Sequence, residues 1–254
     1  MATKGLGDAG GQDLFREPKT LQSSSEQVDQ TEPDHIGHRQ RLRERFLAGG
    51  TDSLPDYELL ELMLFMAQPR ADTKPIAKEL LRRFGSFAEV ISAEADALRD
   101  VKGIGDAGVV ALKAAQAAAQ RLLRAKVKSQ PVVGSFSALI DYCTAQIAYN
   151  AVEQFRVIYL DKKNKVIADE EQQKGTVDHT PVYPREVVKR ALELNASALI
   201  MVHNHPSGDP KPSQADIDMT RKVKEAAGTV GLVLHDHIIV SRGGHASFKT
   251  MGLL

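Results

Sequence analysis

Ala198-Leu-Ile-Met-Val-His203-Asn-His205-Pro-Ser-Gly-Asp209-Pro-Lys-Pro-Ser213-Gln-Ala-Asp216 joins a strand signal to a helix signal through a short loop. Ala198 to Val202 is a continuous apolar run, the pattern of a buried strand. His203 and His205 follow at i and i+2, so on a strand both imidazoles leave the same face. Pro206 has no N–H for a ladder and ends the strand. Ser213 and Asp216 have the spacing of a helix N-cap and its third residue, with Asp where Glu is usual. Two imidazoles therefore leave a strand end, and a carboxylate returns from the first turn of the next helix. Two His and one Asp suit a divalent zinc with the fourth position open to water, the layout of a catalytic site. Each half also has a plainer reading. Ser213 and Asp216 could be a capping box only, and the histidines could be satisfied polar residues at a strand end. The joint pattern is more demanding than either half: His-x-His, seven residues, Ser, two residues, Asp, between a strand and a helix.

The flanking sequence builds a layered domain around this stretch. Ser135 to Ala148 reads as a helix with Phe136, Leu139, Ile140, Cys143 and Ile147 inward. Cys143 reads as a small core residue. Glu153 to Asp161 is a strand, and Asp161-Lys-Lys-Asn164 turns it into Lys165 to Glu171. Gly175-Thr-Val177 begins another short extended piece, with His179 in a loop. Pro184 to Asn195 is a helix with Pro near its first position and Asn at its end. The helix from Ser213 runs to about Ala227, and Gly231 to Val240 is a second buried strand. His235 and His237 alternate around Asp236 on it; one of them could reach the site, although structural roles are the plainer reading. Strands alternating with helices argue for an α/β domain.

Residues 36 to 128 read as all-helical. Leu42 and Phe46 share one face of a helix over His38 to Phe46, and Arg39, Arg41, Arg43 and Arg45 give the rest of it a basic surface. Asp56 to Phe65 and Lys74 to Phe84 are further helices, the first with Pro55 at its start and the second closed by Gly85. Phe87 to Ser92 and Ala95 to Asp100 are shorter pieces. Gly103-Ile-Gly105 then joins a short helix to a long one over Val109 to about Lys126. Lys126 to Pro131 reads as a polar joint.

Composition sets the outer limits. The 254 residues carry 33 basic and 33 acidic side chains, so no global field advertises nucleic acid or membrane. One cysteine excludes an intrachain disulfide and a cysteine-based zinc cage. No apolar stretch approaches the ~20 residues of a membrane span, and the start of the chain has no signal-like apolar region, so a cytoplasmic protein is expected. Residues 1–34 hold three basic and seven acidic side chains with little apolar area, the composition of a disordered tail. Three segments are expected: that tail, a helical domain over 35–128 and an α/β domain over 129–254.

The spacing of His203, His205, Ser213 and Asp216 resembles the JAMM (MPN-plus) metallohydrolase signature. The fuller string His203-Asn-His-Pro-Ser-Gly-Asp209 resembles the bacterial RadC family within it, over about residues 36 to 254. The resemblance implies a fold related to cytidine deaminase, with a mixed sheet, preceded by a helical domain with a helix-hairpin-helix-like element. It implies zinc held by His203, His205 and Asp216, and a general base supplied from an earlier strand. Glu153 matches that base by position. Glu186 is the rival, although its place in the first turn of a helix is explained by the dipole; Glu170 and Glu171 look solvated. Ser213 is implied as a donor to the oxyanion, and Asn204, on the opposite strand face, has a supporting part. The implied reaction is hydrolysis of a peptide or isopeptide bond in a protein or peptide substrate. A zinc ion lowers the pKa of water from about 15.7 toward about 7. Glu153 would take the proton and later give it to the leaving amine.

A metal-dependent nuclease or DNA-repair accessory factor is the second class, and a non-catalytic scaffold the third. For the second, the Gly103–Gly105 turn could present backbone N–H groups to phosphates of non-specific DNA. Asp106 after the turn and Val109, where a small residue is usual, count against this, as does a surplus of only four positive charges over residues 36–128. A packing or protein-contact hairpin fits equally well. The intact Glu, His, His, Ser and Asp set argues against a scaffold. A deaminase lacks its Pro-Cys-x-x-Cys here, and no His-Glu-x-x-His is present.

Overall fold

The computed structural model describes residues 34–174 and 182–254. The expected tail, apart from Asp34, and the readings at Gly175-Thr-Val177 and His179 lie outside the described residues.

The first six helices are α1 (Asp34–Gly49), α2 (Asp56–Ala67), α3 (Lys74–Phe84), α4 (Phe87–Ser92), α5 (Ala95–Arg99) and α6 (Gly105–Ser129). Their local chemistry explains their ends. Pro75 lies in the first turn of α3, and Gly85 stops that helix at φ 102°, a conformation only glycine adopts without strain. Ser86 caps α4 by accepting from the Glu89 N–H at 3.2 Å. Leu60, Leu64, Ile76, Leu80, Val90, Leu98, Val101, Ile104 and Leu112 form one core.

Three expectations change here. The basic surface of α1 is partly spent inward: Arg39 and Arg43 lie over the Phe65 ring, and Arg45 pairs with Glu58. The joint expected at Lys126 to Pro131 is helical as far as Ser129, so α6 itself carries the chain from the helical region to the sheet. The small residue that lets α6 approach α2 is Gly108, where a Cβ would sit 2.5 Å from Gln68 Nε2; Val109 is an ordinary core residue.

The second half contains α7 (Phe136–Ile147), β1 (Gln154–Leu160), β2 (Val166–Lys174), α8 (Pro184–Glu193), β3 (Ala198–Asn204), α9 (Gln214–Thr229), β4 (Val233–Ser241) and β5 (Gly244–Ser247). The five strands form one mixed sheet in the order β2-β1-β3-β4-β5, in which only β3 and β4 are parallel. β5 has no counterpart in the sequence reading, since four residues after a Gly-Gly turn carry almost no periodic signal.

Alternation along the strands divides the core into two layers. Ile158, Leu160, Ile200, Val202, Ile238 and Val240 pack on Leu139, Ile140, Cys143 and Ile147 of α7. Phe155, Val157, Leu199 and Met201 face the other way, onto Val187 and Ala191 of α8 and Val223 and Ala227 of α9. Cys143 is buried in the first layer; burial, then the Asp169 charge, pushes its thiol far above the usual range. Beside it Arg156 binds Asp169 at 2.9 Å, and the Tyr142 hydroxyl donates to the same carboxylate. No described helix is long and apolar enough to cross a membrane.

Candidate metal centre

The site forms where parallel β3 and β4 end, and α9 is the crossover between them. Odd-numbered residues of β3 face α9, so His203 continues the row of Leu199 and Met201. Pro206 and Gly208, the latter at φ 92°, turn the chain toward α9. Ser213 caps that helix reciprocally: its hydroxyl accepts from the Asp216 N–H at 3.2 Å, while Asp216 Oδ2 accepts from the Ser213 N–H at 2.8 Å. The cap brings the carboxylate to the histidines.

His203 Nε2 and His205 Nε2 lie 2.9 Å apart, and Asp216 oxygens lie 3.4 Å from the first and 3.6 Å from the second. The two readings of Asp216 are thus one: the capping carboxylate also faces both imidazoles. Among the described residues these three are the set whose ligand atoms converge closely enough to hold a metal ion.

Their protonation follows from their surroundings. Burial pushes His203 down to about 4, against the opposing charge of Asp216. Burial also drives His237 well below the usual imidazole range. At His205 the neighbouring Asp216 carboxylate outweighs partial burial and raises the pKa. For Asp216, burial pushes upward, but the neighbouring His205 and His203 imidazoles and the Ser213 hydrogen bonds prevail and hold it far below the carboxylate range.

The donor set fits a divalent cation. His205 Nδ1 lies 2.9 Å from the Asp209 carbonyl, which can only accept, so this nitrogen carries the proton and neutral His205 presents a bare Nε2. With His205 Nε2 bare, the 2.9 Å contact between the two nitrogens is bridged by a hydrogen on His203 Nε2, by an added proton or by a metal ion, each of which the neighbouring carboxylate favours. Ligands at about 2.0–2.1 Å from tetrahedral zinc lie about 3.3 Å from one another, close to the separations present.

Glu153 directly precedes β1 and is partly buried. β1 pairs antiparallel with β3 through Phe155 opposite His203, and the same register continued places Glu153 beside His205. The Glu153 charge contributes to raising the His205 pKa. Its segment is held by Asn204, which is buried on the opposite strand face. Asn204 Oδ1 accepts from the Gln154 N–H at 2.7 Å, and its Nδ2 donates to the carbonyls of Asn150 at 3.3 Å and Val152 at 3.2 Å. Glu186 is instead paired with Arg185 at 3.1 Å in the first turn of α8. The Ser213 hydroxyl donates to Asp216 Oδ2 at 2.6 Å rather than toward open space.

Two histidine readings sharpen. His235 turns away to Asn164 Oδ1 at 2.7 Å, whereas His237 contacts His203 Nδ1 at 2.8 Å. Thr220 completes the group, with its hydroxyl 2.6 Å from His237 Nδ1; a lone threonine inside a helix carries no sequence signal for such a place. The Gly103–Gly105 turn lies away from this centre, in the helical region. Both glycines have left-handed φ, 93° and 58°, and the following Asp106 is bound by Arg99 at 3.0 Å.

Residues 133–253 match the family described as RadC-like JAB domain, and residues 34–110 match the family UPF0758 N-terminal. A UPF0758 protein of Rhodobacter capsulatus is 61% identical over 213 residues, covering 84% of this chain and 100% of the relative. A UPF0758 protein of Ruegeria pomeroyi is 58% identical over 223 residues, covering 87% of this chain and 100% of the relative.

Proposed function

The chain belongs to the RadC-like JAB-domain family, and on that premise we propose that it is a metal-dependent hydrolase that cleaves an amide bond, peptide or isopeptide, with an activated water. The observation that carries the reading is the approach of His203, His205 and Asp216 within 2.9 to 3.6 Å, with Glu153 leading into the neighbouring strand. Zinc is the proposed ion, and when bound in this set it supplies Lewis acidity toward water and an acyl oxygen.

The protein's own groups supply the rest. His203 is neutral at pH 7, so its lone pair is available without losing a proton. Asp216 remains anionic at the positive end of α9. Glu153 takes the proton from the attacking water on a carboxylate oxygen and returns it to the leaving nitrogen. Asn204 fixes the backbone on both sides of that carboxylate. Ser213 serves Asp216 first; donation to a developing oxyanion requires it to exchange that hydrogen bond for the new one.

The test is to incubate zinc-loaded protein with a cell extract and sequence the new N-termini, alongside Glu153→Gln. Termini made by the parent and absent from the variant support the proposal. Equal termini from both, or none from zinc-loaded parent, count against it. A duplex DNA substrate in parallel separates a nuclease from a peptidase.

A further inference from the structure

Behind the three candidate ligands runs a chain of hydrogen bonds through buried side chains that returns to one of them. His203 Nδ1 lies 2.8 Å from His237 Nε2, His237 Nδ1 lies 2.6 Å from Thr220 Oγ1, and Thr220 Oγ1 lies 2.6 Å from the Asp216 carbonyl oxygen. His203, His237 and Thr220 are at most 2% exposed. The aromatic rings of Phe155 and Phe248 enclose the imidazoles, with Phe248 centred 4.5 Å from His237.

The direction of every bond follows from its last acceptor. A carbonyl can only accept, so the single Thr220 hydroxyl proton goes to Asp216. The Thr220 oxygen is then left to accept, and His237 Nδ1 must donate. Neutral imidazole carries one N–H, so His237 Nε2 is bare and accepts from His203 Nδ1–H. His203 Nε2 is therefore bare as well, on the side where His205 and Asp216 converge.

We propose that Thr220 and His237 are positioning residues that set the tautomer of His203, with the polarity of the chain decided at the backbone of Asp216. The helix that supplies the carboxylate thus also turns the first imidazole into a ligand. A threonine bonded to the carbonyl four residues earlier is commonplace in helices. The second bond, from the same oxygen to a buried histidine touching His203, gives it this role. The proposal rests on reading His203, His205 and Asp216 as a cation site.

The experiment uses the full chain, ¹⁵N-labelled and metal-free, as the parent, Thr220→Val and Thr220→Ser. Long-range ¹H–¹⁵N spectra report each imidazole tautomer, and competition with a chromophoric chelator reports zinc affinity. The parent should show His203 and His237 both as Nδ1–H. In Thr220→Val the His237 Nδ1 proton loses its acceptor, so both rings should shift toward Nε2–H, and zinc affinity should fall about 10- to 100-fold. Thr220→Ser should restore both readouts. A parent with His203 as Nε2–H overturns the proposal, and that measurement stands even if the valine variant fails to fold. Unchanged tautomers with zinc affinity within about twofold in Thr220→Val overturn it too. A parent that shows the expected tautomers but binds no zinc overturns the cation-site reading and leaves the hydrogen-bond chain standing.

Discussion

Asn204 and Gln154, fifty residues apart, are joined by a buried hydrogen bond of 2.7 Å from the Gln154 N–H to the Asn204 side-chain oxygen. Asn204 stands between His203 and His205, so one strand end holds the two imidazoles on one face and the Glu153 segment from the other. Asn204→Ala leaves the buried Gln154 N–H without this acceptor and two part-buried carbonyls without this donor. The expected cost is roughly 2 to 4 kcal/mol of stability, read by urea unfolding. Zinc binding should persist, because both histidines remain; loss of zinc in a folded variant would show that the clamp also supports the ligands.

Of the three proposed ligands, His205 is the one most open to competition from protons. Asp216 raises its pKa, whereas burial holds His203 near 4. A raised pKa favours the protonated imidazole, so metal occupancy should be complete at high pH and fall as pH drops through the His205 pKa. Elemental analysis after dialysis across that range should show about one zinc per chain at pH 8 and progressive loss in acid. His205→Ala should hold little zinc at any pH; equal zinc in parent and variant would sink the ligand assignment.

Asp169 tests the packing beneath the sheet. It is bonded by Arg156 and by the Tyr142 hydroxyl, and its own side chain is almost wholly buried. Asp169→Ala strands the Arg156 guanidinium, which lies at 16% side-chain exposure, and a loss of about 3 to 5 kcal/mol is expected. Denaturant unfolding measures it, and a loss below about 1 kcal/mol would mean that solvent reaches this guanidinium in the variant.

The Gly103–Gly105 turn makes a separate prediction about DNA, proposed as a second partner on the turn alone. Asp106, with Arg99, lies where a phosphate would approach the start of α6. If the turn holds phosphates, the full chain should bind duplex DNA weakly at low salt, with affinity falling steeply as salt rises. Asp106→Lys should tighten that binding. No binding at low salt by either protein would leave the turn as a packing element.

The site was legible in the sequence where its parts are close together in the chain. The period-two placement of His203 and His205, the stop at Pro206 and the cap from Ser213 to Asp216 are local rules of backbone geometry, and the structure obeys them. So do most helices, α3 and α4 to the residue, because proline, glycine and serine mark their ends through local dihedral and capping preferences. What depended on tertiary structure was which distant residues lie behind that motif. Asn204 meets Gln154 only because β1 pairs with β3, and His237 meets His203 only because β4 lies parallel beside β3. Thr220 joins them only because α9 crosses over that pair. The direction of Arg39, Arg43 and Arg45 toward α2 was likewise hidden, since helical spacing identifies a face but not its neighbour. Sequence spacing thus determined the converging His203, His205 and Asp216 side chains, and strand pairing decided which side chains hold and orient them, because those contacts are made across the sheet rather than along the chain.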